Sequence, residues 1–132
     1  MKRVVDSYAL LAFFEKEPGF EKVESALITA NEKDQNLLMS VVNFGEVYYI
    51  VLREYGSAKA IEIEKIIQTL PIDIVDVDVN LTKEAAQYKA FKNLSYADCF
   101  AAALAKINKA ELITGDKEFQ EVETEIKIIW IC

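Results

Sequence analysis

Short apolar runs recur along the chain and set the strongest limit on its fold. Lys2–Val5, Leu37–Ser40, Ala110–Ile113 and Ile126–Ile131 are each short and rich in β-branched or aliphatic residues, with little polar alternation. Stretches with helical apolar spacing separate them. Strands that are not divided into an oily and a wet face belong in a sheet covered on both sides, and helices between successive strands supply the covers. The pattern therefore predicts a parallel α/β sheet. In such sheets ligands bind beyond the carboxyl ends of the strands. A further run, IDIVDVDV after Pro71, alternates acids with Ile and Val. It reads as a charged edge strand, where charge discourages pairing with another chain.

The intervening segments read as helices. Ser7–Lys16 carries Leu10, Leu11, Phe13 and Phe14 and is broken by Pro18-Gly19. Phe20–Ala30 follows, and then a polar loop over Asn31–Asn36. Val41–Tyr55 is the most apolar helix, stopped by Gly56, and Ser57 is expected to cap Ala58–Leu70. Asn80–Lys92 and Ser95–Ile107 complete the set, with one turn at Lys117–Gln120. No repeat or linker interrupts residues 1–132, so a single domain is expected. Val47–Leu52 is apolar without a break, which leaves the helix no polar side and predicts burial all round, within the monomer or against another chain.

Composition removes several kinds of chemistry. The chain has no histidine, which excludes Ser-His-Asp triads, imidazole bases and most zinc sites. A net charge of −7 disfavours a basic clamp for DNA, yet it permits an acidic site neutralised by divalent cations. The two cysteines, Cys99 and Cys132, form no CxxC and read as reduced. No run has the length of a membrane span. Asp6 and the acids after Phe14 argue against a secretory leader, so a cytoplasmic, non-membrane protein is expected.

Four acids stand in apolar surroundings: Asp6 in RVVDSYALLAFF, Glu46 in VVNFGEVYYIVL, Asp98 in SYADCFAAALAK and Asp116 after the run Ala110–Ile113. Each has an ordinary explanation. Asp6 can cap a helix, Asp98 can close a capping box with Ser95, Asp116 can sit in a turn, and Glu46 can pair with Arg53. Together they fit that reading less well, because a half-buried carboxylate needs a proton, a counter-charge or a metal. Asp98, Ala101, Ala102 and Ala105 share one helical face, and the small side chains let that helix lie close to the sheet. Asp73, Asp76 and Asp78 are rival candidates that read as edge-strand or capping acids.

These motifs resemble the PIN-domain nucleases, most closely the VapC-type toxins of type II toxin–antitoxin pairs, over nearly the whole chain. VVDSYALLAFFEKEPG matches the family opening, with Asp6 and the following hydroxyl of Ser7. SVVNFGEVYYIVL supplies Glu46, LSYADCFAAALAK supplies Asp98, and ELITGDKEF supplies Asp116 with Thr114 as its hydroxyl. Asn43 falls where the family often has a small polar residue. The resemblance implies a three-layer α/β/α sandwich around a mainly parallel sheet, and metal-dependent endoribonuclease activity leaving 5′-phosphate and 3′-hydroxyl ends. It also implies a small cognate antitoxin.

Asp6, Glu46, Asp98 and Asp116 are thus the expected catalytic and metal-binding residues, with Thr114, Ser7 and Asn43 as accessories. Hard oxygen donors predict one or two Mg²⁺ or Mn²⁺ ions. RNA is the expected substrate and a homodimer the expected assembly. Two alternatives stay open: a PIN nuclease of RNA processing or decay without an antitoxin, and a non-catalytic PIN-like interaction module. An aspartyl phosphatase is disfavoured, since it wants a second Asp where Tyr8 stands.

Overall fold

The computed structural model describes residues 1–132. The chain runs β1 (Arg3–Val5), α1 (Ser7–Glu15), α2 (Phe20–Glu32), β2 (Leu37–Ser40), α3 (Val41–Tyr55), α4 (Ser57–Thr69), β3 (Ile72–Val75), α5 (Val79–Phe91), α6 (Tyr96–Asn108), β4 (Glu111–Thr114), a 3-10 helix at Lys117–Val122, and β5 (Ile128–Trp130). The strands form one sheet in the order β3-β2-β1-β4-β5, and every pairing is parallel. The chain winds outward from β1 to β3 on one side and from β4 to β5 on the other. The topological switch therefore falls between β1 and β4, where Val5 pairs with Ile113.

Successive strand residues face opposite layers. Val5 and Ile113 pack with α1 to α4, whereas Val4 and Leu112 pack with α5, α6 and the 3-10 helix. This is the α/β/α sandwich, with a core on each side of the sheet. The helix buried all round is α6, in which every residue from Asp98 to Ala105 is buried. Its alanines allow that close approach.

Several expectations need correction. In α3 only Asn43, Val47 and Val51 are buried, while Tyr49, Leu52 and Tyr55 are exposed, so the monomer does not cover its apolar run. Ser57 does not cap α4; it is the first helical residue, and Gly56 at φ 93° takes the cap position with no side-chain bond. The IDIVDVDV strand stops at Val75, because Asp78 turns away to cap α5 by accepting from the Leu81 amide at 2.8 Å. Helix α2 continues through Glu32, so the polar loop starts later than expected. Lys117–Val122 is longer than the single turn anticipated. No helix is long and apolar enough to cross a membrane.

Candidate metal centre at the carboxyl edge of the sheet

Strand ends and helix starts deliver the acids to one edge. Asp6 follows β1 and caps α1, its Oδ1 accepting from the Ala9 amide at 2.9 Å. It is wholly buried. Its Oδ2 accepts a close hydrogen bond from the Thr114 hydroxyl at the end of β4. The same Thr114 oxygen accepts from the Asp116 amide at 3.0 Å, so one hydroxyl ties the first acid to the turn carrying the fourth. Asp116 Oδ1 in turn caps the 3-10 helix through the Glu118 amide at 3.0 Å.

The second acid is held from α3. Glu46 Oε1 accepts from Ser7 Oγ at 2.8 Å and from Asn43 Nδ2 at 3.0 Å, and not from Arg53. Asn43 is fully buried, and its Nδ2 also reaches the Ala97 carbonyl at 3.3 Å, joining α3 to the start of α6. Its Oδ1 is buried with no partner.

Asp98 comes from the first turn of α6 and is buried. Of the alternative reading, a capping box with Ser95, only half forms. Ser95 Oγ accepts from the Asp98 amide at 3.3 Å, but the Ser95 amide donates to Glu118 Oε1 at 3.3 Å. The Asp98 carboxyl is left free to face its neighbours. Oxygens of Asp98, Asp116 and Glu118 lie within 4.8 Å of one another. Sequence reading passed over Glu118. Its nearest signal is the Asp116 cap, which puts residue 118 in the first turn of the 3-10 helix, but only packing against α6 reveals its place. Asp73, Asp76 and Asp78 are not part of this cluster: Asp73 accepts from Asn36 Nδ2, and Asp78 caps α5.

Burial raises the Asp6 carboxyl to about 7, against the pull of the Thr114 and Ala9 bonds and with help from the charges of Asp116 and Glu46. Asp98 is pushed up to about 8, first by burial, then by the Asp116 charge, the hydrogen bond with Glu118 and the Asp6 charge, with Ser95 opposing. Glu111, at the opposite edge of the sheet, provides the contrast. It is also buried, but Lys127 at 2.9 Å and Arg3 at 3.1 Å hold its carboxyl below the usual value. No ion pair neutralises the carboxylates at the carboxyl edge. An all-oxygen donor set, buried acids without a counter-charge and the unpartnered Asn43 Oδ1 suit a hard divalent cation and not zinc.

Comparisons with known proteins identify the family and the fold. The chain is similar to a VapC ribonuclease of Mycobacterium bovis, 28% identical over 127 residues that cover 91% of this chain and 94% of that protein. Ribonuclease VapC30 of Mycobacterium tuberculosis matches with the same identity and coverage. Among solved structures, a chain of the DNA-bound VapBC complex from Salmonella typhimurium superposes with a TM-score of 0.76 at 14% identity, covering 100% of this chain and 99% of that one. The PIN domain family model matches residues 3–125. A parallel sheet with its acids gathered at the switch between β1 and β4, in a chain matched nearly end to end by that model, belongs to the PIN domain family.

Proposed function

We propose that the chain is a metal-dependent endoribonuclease and the toxin of a toxin–antitoxin pair. The observation that carries the reading is the pair of buried acids, Asp6 and Asp98, facing further carboxylates with no protein cation among them. Ribonuclease activity is supported by the names of the relatives, which match over 91% of the chain.

Asp6, Asp98 and Asp116 would hold one or two Mg²⁺ or Mn²⁺ ions, with Glu46 as a further ligand or as the group that orients the attacking water. Glu118 joins them on the Asp98 side. A bound ion would lower the pKa of a coordinated water and polarise the scissile phosphate. The residues around it do the positioning. Thr114 fixes one oxygen of Asp6 and the Ala9 amide fixes the other. Ser7 and Asn43 both bond Oε1 of Glu46, which leaves Oε2 to accept from a water. Such fixed ligands reduce the reorganisation needed at the moment of reaction.

The antitoxin reading is supported by structural similarity to VapBC complexes and by an apolar groove. Leu11 and Phe14 of α1, Val51 and Tyr55 of α3, and Ile63 and Ile66 of α4 line it. The exposed Tyr49 and Leu52 of α3 supply apolar surface for a homodimer. The central test is RNA cleavage with Mg²⁺ or Mn²⁺, with EDTA, and with Asp98→Asn. Cleavage is expected only with the ion, and the variant should lose about a hundredfold or more. Undiminished cleavage in EDTA would sink the metal reading. Light scattering that finds only monomer at high concentration counts against the homodimer. Failure of a small protein encoded beside this chain to bind it and block cleavage counts against the antitoxin.

A further inference from the structure

An aromatic and cationic strip runs beside the acids along the ends of β4 and β5. Tyr8 lies two residues beyond Asp6 and is 43% exposed. It rests on Gly115, the residue between Thr114 and Asp116. A Cβ at position 115 would lie 2.4 Å from Tyr8 Cε1 and 3.0 Å from Cys132 Sγ. Gly115 does not have positive φ, so its glycine supplies room for the ring and not an unusual backbone. Trp130 continues the strip, since it pairs in register with Thr114. Its indole is held by Glu123 at 2.9 Å, and the Lys117 ammonium stands 5.4 Å from the ring centre. Lys22 donates to the Trp130 carbonyl at 3.1 Å.

Neither lysine has a carboxylate partner within 4.0 Å, although the chain carries a net charge of −7. Lys117 stands by the Trp130 ring instead, and Lys22 is held by the Trp130 carbonyl. Ammonium groups held without a counter-ion at the half-buried Trp130, near the exposed Tyr8, match the recurring needs of a nucleic acid strand: a cation for each phosphate and a flat surface for each base. A duplex keeps its base faces stacked inside, so the exposed Tyr8 ring selects a single strand.

We propose that Tyr8, Trp130, Lys117 and Lys22 form the track that takes single-stranded RNA on one side of the scissile bond, with a base on the Tyr8 ring and adjoining phosphates on the lysines. The assignment rests on the ribonuclease reading and names the substrate contacts that the acids cannot make. It also gives Gly115 a purpose, because a methyl group there displaces the Tyr8 ring.

The test is anisotropy of a fluorescent single-stranded RNA oligonucleotide across a salt series, with Ca²⁺ in place of Mg²⁺ to hold back turnover. Tyr8→Ala is expected to weaken binding roughly 5- to 100-fold, and Tyr8→Phe to restore it. Lys117→Gln and Lys22→Gln should each reduce the slope of log affinity against log salt by about 0.7. Lys65→Gln, on the exposed face of α4, removes the same charge and should leave the slope alone. In Mg²⁺, Tyr8→Ala should also alter which base flanks the cut. Wild-type affinity and cut sites in Tyr8→Ala, or wild-type slopes in both lysine variants, overturn the track while the ribonuclease reading stands. A wild-type protein that neither binds nor cuts RNA overturns both.

Discussion

Asp6→Asn should stabilise the metal-free protein at neutral and alkaline pH while destroying its response to metal. The Asp6 carboxyl titrates at about 7 in the fold, against an ordinary 3.8. Between those values the folded chain keeps a proton that the unfolded chain has released, so stability falls as pH rises through the window. Each pH unit costs about 1.4 kcal/mol, which makes about 3 kcal/mol between pH 5 and 7, with little further loss above that. Asparagine removes the buried charge and keeps the shape. It caps a helix as well as aspartate does, so the Ala9 bond survives, and the Thr114 hydroxyl can turn to accept from the new amide. The lost Asp6 charge also relieves Asp98, adding in the same direction. Urea unfolding in EDTA at pH 5, 6, 7 and 8 should therefore give a gap between variant and wild type that widens by about 3 kcal/mol and then levels. Millimolar Mg²⁺ should close it at pH 8 by stabilising only the wild type, since ligands stabilise the state they bind. A gap that stays flat from pH 5 to 8 would refute the claim that Asp6 is a buried acid awaiting a cation.

Asn43→Ala should cost about 1–3 kcal/mol, because it breaks the link from α3 to the Ala97 carbonyl and leaves Glu46 with Ser7 alone. Magnesium titration followed by thermal unfolding should show affinity reduced about 10- to 100-fold. Thr114→Val keeps the volume but removes the hydroxyl shared by Asp6 and the Asp116 amide. It should lower stability by about 1–3 kcal/mol at pH 8, with a smaller loss at pH 5, where Asp6 carries a proton. Gly19→Ala should be strongly destabilising by thermal melt, about 2 kcal/mol or more, since φ is 96° and the new Cβ would sit 2.4 Å from the Ile131 carbonyl oxygen.

The apolar runs constrain the layers most. Strands without polar alternation, separated by helices, have few arrangements other than a covered parallel sheet, because each face must be buried. The acids were legible for a related reason: carboxylates set among Val, Phe and Ala stand out against an otherwise solvated set. Boundaries were less legible. Asp78 had two local options, strand residue or cap, with similar local cost, and the demand of α5 for a cap decided between them. The apolar run of α3 looked like a buried helix, yet α6 took that place because alanine packs closer to the sheet.

By itself, the sequence determined the fold class and, in a chain without histidine, an oxygen-rich set of candidate ligands. These follow from composition and spacing, which local chemistry constrains. Only the tertiary structure decided that Glu118 and not Asp98 takes the Ser95 amide, that Ser7 and Asn43 share Glu46, and that Tyr8 lies on Gly115 beside Trp130. Those contacts join residues far apart along the chain, and their partners are selected by strand register and helix packing, which no local pattern encodes.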